Sequence, residues 1–224
     1  MRRLNFLSGV GGLGLAALVG LGVWQVQRLE WKEALLATIE TRLAAAPAAL
    51  PAAPEQDRDR YRAVTVSGTL EPRELHVFWV TKEAETGYRV IAPLVTPEGR
   101  RLLLDRGFVP AADKDAERAA GAVTVRGNLL WPDEVDWSTP PADLDGNIFY
   151  ARDLALMAQT LETEPLLLVV RDTSAQTDIR PQPVTTVGIK NNHLQYAITW
   201  FSLAVIWAAM TVYFLWRARP KSEG

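Results

Sequence analysis

Two histidines and an absence of cysteine bound the chemistry open to this chain. His193 begins the run His193-Leu194-Gln195-Tyr196-Ala197-Ile198-Thr199-Trp200, and in a helix positions 193, 196, 197 and 200 share one face. An imidazole, a phenol and an indole then stand in one row, at the edge of a stretch that carries no charge through Trp216. Trp24 and Gln25 close a second charge-free stretch and are expected at a similar depth. An imidazole at the hydrocarbon boundary, walled by aromatic rings, can ligate a haem iron through a ring nitrogen. The plainer reading is that Tyr and Trp gather at membrane interfaces by partitioning alone, and that a His at a helix start needs no ligand. Residue types leave both readings open.

Other chemistries find less support. His76 lies inside the apolar run Leu75–Val80, as a packed or surface-facing imidazole, and two histidines so far apart make no metal-ligand spacing. Without cysteine there is no C-x-x-C-H haem attachment, no thiolate copper site, no thiol redox step and no disulfide. Met1, Met157 and Met210 are too scattered for a thioether copper site. Asp133, Glu134 and Asp136 read as a solvated acidic loop, because no convergent partner is visible. No G-x-S-x-G, P-loop or H-E-x-x-H is present, so nothing argues for an enzyme.

The elements that must position these residues are two apolar helices and a domain between them. Leu4–Gln27 and Tyr196–Trp216 contain no Asp, Glu, Lys or Arg, and each is long enough to cross a hydrocarbon core of about 30 Å. The expected division is a tail at 1–5, a first span at 6–27, an extracytoplasmic domain at 28–192, a second span at 193–216 and a tail at 217–224. Arg2 and Arg3 before the first span, and Arg217, Arg219 and Lys221 after the second, put both ends in the cytoplasm. No A-x-A site ends the first run, which favours an uncleaved anchor. Gly12, Ala16 and Gly20 recur every four residues, and Ala204 and Ala208 offer a match. These stripes are expected to pack the two spans together.

The first helix is expected to run on to about residue 45, because Gln25 to Leu43 contains no Gly or Pro. Pro47, Pro51 and Pro54 then mark an extended linker over 46–60. From Tyr61 the period shortens to two. Strands are expected at Ala63–Gly68, Leu75–Val80, Tyr88–Val95, Arg101–Arg106, Val123–Leu129, Ile148–Tyr150 and Pro165–Arg171, with a helix near Asp153–Thr160. Pro93 suggests an edge or a bulge. Thr96-Pro97-Glu98-Gly99 is a turn that makes a hairpin of its flanking strands. The fold class is therefore a membrane protein of α+β type, with two transmembrane helices flanking one mainly antiparallel β domain, closed or sandwiched. That domain is net acidic, which disfavours nucleic acid as a partner.

Four segments, in order, carry a resemblance. Gly22-Val23-Trp24-Gln25-Val26-Gln27-Arg28-Leu29-Glu30-Trp31-Lys32 fits G-x-W-Q-x-x-R-x-x-W-K. Gly87-Tyr88-Arg89-Val90-Ile91-Ala92-Pro93-Leu94 fits G-Y-x-V-x-T-P-L, with Ala92 for Thr. Leu104-Asp105-Arg106-Gly107-Phe108-Val109-Pro110 fits V-N-R-G-W-V-P, with Asp105 for Asn and Phe108 for Trp. His193 to Phe201 fits H-L-Q-Y-A-x-T-W-F. Together they resemble the Surfeit locus 1 family, the assembly factors of haem-copper cytochrome oxidases. The resemblance implies a role in the bacterial inner membrane in maturing cytochrome c oxidase, by presenting haem a for insertion into the catalytic subunit. It implies His193 as the ligand of the haem iron, with Trp24, Gln25, Tyr196 and Trp200 as the pocket wall. The catalytic subunit, and the machinery that makes haem a, would be the partners. The competing readings are a non-haem scaffold that steadies an oxidase subunit, and an extracytoplasmic sensor, for which the tails are too short to carry an output domain.

Overall fold

The computed structural model describes residues 2–81 and 83–218. Met1, Arg219 and Lys221, named above, lie outside the described residues. In chain order the elements are α1 (Arg2–Ala44), β1 (Ala48–Ala49), α2 (Gln56–Asp59), β2 (Ala63–Leu70), β3 (Leu75–Val80), β4 (Thr86–Val95), β5 (Arg101–Pro110), β6 (Gly121–Leu130), β7 (Ile148–Phe149), α3 (Leu154–Leu161), β8 (Leu167–Thr173) and α4 (His193–Arg217), with a 3-10 turn at Ala111–Asp113. They form two units, one of residues 1–38 and 186–224 and the other of residues 39–185.

The first unit is a pair of apolar helices, each long enough to span a membrane. Six glycines between Gly9 and Gly22 do not break α1. In hydrocarbon no water competes for the backbone groups, so the helix is the one local way to satisfy them. The packing face differs from the expected stripe. Gly12, Ala16 and Gly20 are exposed, and a Cβ built on Gly12 or Gly20 meets nothing within 4 Å. The face in contact is Gly11, Gly14, Leu18, Gly22 and Gln25. A Cβ on Gly14 would stand 2.5 Å from the Trp207 indole and one on Gly22 would stand 2.7 Å from the Phe201 ring, while Gly11 faces Thr211. Large side chains of α4 thus fill notches left by glycines of α1, with Ala197 and Ala204 buried between them. Ala208, the other half of the expected α4 match, is half-buried. Trp207 Nε1–H donates to the Gly11 carbonyl at 2.9 Å.

The second unit is a closed β-barrel. Its strands run β2–β6–β8–β5–β4, and β4 returns to β2 through Thr69↔Val95 and Leu70↔Leu94. β3 lies on β4, β7 on β3 and β1 on β2. Most pairs are antiparallel, while β1–β2, β3–β7 and β5–β8 are parallel. Alternation decides what fills the barrel. Leu102, Leu104, Leu168, Val170, Ala92 and Leu94 pack into one core with Val64, Val66 and Val125. The intervening Leu103, Leu167, Val169 and Ile91 point the other way, onto Met157, Ala158 and Leu161 of α3. Strands buried on both faces read as the continuous apolar runs seen at Leu102–Leu104 and Leu166–Val170. Asp153 caps α3 by accepting from Leu156 N–H at 3.0 Å.

The hairpin of β4 and β5 turns as expected, with Gly99 at φ +83°. Two expectations need correction. Pro93 is not at an edge, since β4 has neighbours on both sides, and the irregularity of β4 falls between Val90 and Ile91, just before it. Its missing N–H falls where the flanking partner changes from β3, last paired at Ile91, to β2, first paired at Leu94. The segment 46–60 is no free linker either. Ala48 and Ala49 pair with Val64 and Thr65, Leu50 packs on the barrel core, and α2 buries Asp59. Prolines flank a two-residue edge strand, where few backbone donors are needed.

Candidate functional site

α4 begins at His193, and the geometry at that helix start is specific. His193 Nδ1 lies 2.8 Å from Gln25 Oε1. The amide oxygen accepts, so Nδ1 carries a proton, and in the neutral ring this tautomer leaves the lone pair on Nε2. Gln25 is 8% exposed, and a buried amide in an apolar interface must be partnered. Gly22, one turn back on α1, lets the helices approach closely enough for that bond. Of the five residues singled out from the sequence, His193 and Gln25 are brought into contact. Trp200 is half-buried, and Trp24 and Tyr196 are each 54% exposed, presenting their rings outward. Metal-binding imidazoles commonly donate their second N–H to an acceptor that fixes tautomer and ring plane, and Gln25 does so here.

A second polar centre lies in the barrel unit, and sequence reading missed it. Asp105, fully buried on β5, accepts from Arg89 Nε at 2.8 Å and from Gly107 N–H at 3.2 Å, and Arg152 approaches at 3.5 Å. Arg152 in turn grips Glu134. Both guanidinium groups lie over the Trp79 ring, at 5.0 Å and 5.7 Å from its centroid. Two cations and two carboxylates balance, so the network ties the 134–152 segment to β4 and β5. Glu134 is therefore not part of a solvated loop. Burial pulls its carboxyl upward, but the hydrogen bond and charge of Arg152 outweigh it and hold the group below its ordinary value. One signal was available: Asp105 follows three consecutive buried leucines, and a charge within a buried strand requires a partner. Gly107, at φ +122°, lets the strand pass the Arg180 carbonyl, where any Cβ would collide.

His76 is packed rather than surface-facing, at 4% exposure. Its Nε2–H donates to Glu74 at 3.1 Å, and its Nδ1 accepts from the Asn147 amide at 3.1 Å. Arg118 and Arg106 also face Glu74. Burial raises the Glu74 carboxyl, yet His76 and Arg118 together bring it below its ordinary value. Burial likewise lowers Arg106.

Similarity to known proteins runs through both units. The SURF1 family profile matches residues 13–205, a range that includes Trp24, Gln25, His193, Tyr196 and Trp200. Human Surfeit locus protein 1 is 31% identical, over 89% of this chain and 74% of its own length. A SURF1-like protein of Monosiga brevicollis is 36% identical, over 87% of this chain and 82% of its own. A SURF1-like protein of Rickettsia felis is 28% identical, over 89% and 92%.

Proposed function

The chain belongs to the SURF1 family, a family of cytochrome oxidase assembly factors, and on that premise we propose that it binds haem a through His193 and presents it for insertion into the catalytic subunit of cytochrome c oxidase. The observation that carries the reading is the hydrogen bond from His193 Nδ1–H to Gln25, which leaves Nε2 as the free ligand atom. Haem a is cargo here, and its iron would supply the Lewis acid to which Nε2 binds. Gln25 holds the imidazole in one tautomer and one plane, so the ligand is ordered before the cargo arrives. The exposed rings of Trp24 and Tyr196 offer apolar contact without enclosing a ligand. One nitrogen ligand and an open side suit a carrier that must release what it holds. The proposed setting is the cell inner membrane, with both termini cytoplasmic and the barrel outside, between the machinery that makes haem a and the oxidase subunit that receives it.

The test is an absorbance spectrum of the full chain purified from cells that make haem a. The wild type should carry haem. His193→Ala should lose it or shift its spectrum, and Gln25→Ala should keep the ligand but bind about 10–100-fold more weakly. Glu98→Ala, in the exposed β4–β5 turn, should match the wild type. A His193→Ala protein with full haem occupancy and an unchanged spectrum would leave the non-haem scaffold as the better account.

A further inference from the structure

We propose that the segment from Pro132 to Tyr150 docks a cationic, apolar stretch of a partner protein, with Trp137 as its anchor. Trp137 is 98% exposed. It stands between Val135 and Thr139, which both line a groove of about 310 Å³ together with Pro141, Leu144, Tyr150 and Leu156. Val135, Leu144 and Tyr150 are themselves exposed. A lone surface leucine calls for no explanation, but three exposed apolar side chains along one groove, with Trp137 fully exposed two residues from Val135, do.

The display is ordered before any partner arrives. Asp136 Oδ1 accepts from Ser138 N–H at 2.8 Å and Ser138 Oγ–H at 2.7 Å, and Asp136 N–H donates to Thr139 Oγ1 at 2.9 Å. Asp143 and Ile148 exchange backbone hydrogen bonds, both at 2.8 Å. Glu134, beside Val135, is fastened to Arg152. Trp137 thus sits in a turn whose neighbours are already hydrogen-bonded, which lowers the entropy lost on binding. Tryptophan is also the residue type most often dominant at protein interfaces.

Charge selects the occupant. Asp133, Asp136, Asp143 and Asp145 are exposed around these apolar groups, and no Lys or Arg occurs from Gly127 to Ala151. A polypeptide with apolar side chains among Lys or Arg complements this surface. A bilayer with anionic headgroups is repelled by it, so a protein segment is favoured over a lipid surface. This inference draws on the barrel unit alone and stands apart from the haem reading.

The experiment uses the full chain in the membranes of the cells that make it, with benzoylphenylalanine in place of Trp137, then light, and mass-spectrometric mapping of the adducts. Placement at Glu98 is the control, and placement at Leu144 is the second probe. Positions 137 and 144 should capture the same protein, several-fold more than position 98, at an apolar stretch containing Lys or Arg. The yield should fall several-fold at raised salt, and when Asp133, Asp136, Asp143 and Asp145 are all changed to Asn, which keeps the side-chain oxygens of the turns. Predominantly lipid adducts, no protein adduct, capture at an acidic stretch, or a yield indifferent to salt and to the four substitutions would each overturn the proposal.

Discussion

The helix pair and the barrel solve the same problem with opposite means. In the barrel, water drives Leu and Val side chains inward, and both faces of β5 and β8 are filled with them. In the helix pair, lipid is as apolar as leucine, so burying a large side chain gains little. There the contact is made where α1 has no side chain, at Gly11, Gly14 and Gly22, and polar groups close it, Trp207 to Gly11 and His193 to Gln25. Polarity is placed accordingly. The barrel holds Asp105 among buried ion pairs, whereas the helices are joined by an indole on a backbone carbonyl and an imidazole on an amide. A point change should therefore damage one unit and leave the other intact.

The sharpest break of that comparison is Asp105→Ala. It strands Arg89 in a buried site, at a cost of roughly 3–5 kcal/mol, which for a domain of this size lowers the melting temperature by roughly 10 °C. Calorimetry should register the drop, while crosslinking between cysteines engineered at the outer ends of the two spans stays as in the parent. The converse substitution pair is Gly14→Leu with Gly22→Leu. It should push the helices apart and cut that crosslinking several-fold, leaving the barrel's melting temperature unmoved. Gly12→Leu with Gly20→Leu should do neither, since those positions face outward. Equal effects from the two pairs would mean that the contact face is wrongly assigned.

The smallest expected effect is on acid stability. Glu134 and Glu74 both sit below the ordinary value of 4.5. The stability they add is complete above that value and is lost as pH falls below it toward their depressed values. Denaturation midpoints at about pH 6 and about pH 3.5 should show the barrel weakening, and Glu134→Gln should narrow that difference.

Most of the barrel was legible because alternation is a local signal. Leu75–Val80 needs only its own residues to be read as a strand, and Thr96 to Gly99 only its turn chemistry. What escaped was set by distance or by solvent. The partner of the Glu134 carboxylate, Arg152, lies 18 residues away, and nothing nearby announces it. The helix face escaped because both faces of α1 are apolar, so hydrophobicity cannot choose between them. Gln25 could have chosen. Counting back from that polar residue by three, seven and eleven gives Gly22, Leu18 and Gly14, which is the face in contact. At the second span the aromatic residues were legible by type, but the pairing of Gln25 with His193 needed two helices 168 residues apart to meet.

The place of β8 has a consequence for how the protein is made. It is the last strand in the chain, yet it lies between β6 and β5 in the ring. As the chain is made in order, β2 to β6 can pair only as an open sheet, with β5 and β6 left as its edges. The ring closes when the chain has been made as far as Thr173, some way before α4 begins at His193. Every earlier intermediate exposes strand edges of β5 and β6, so closure of the barrel waits for the end of its own sequence, and a stall between Leu130 and Leu167 leaves the most aggregation-prone form of the chain.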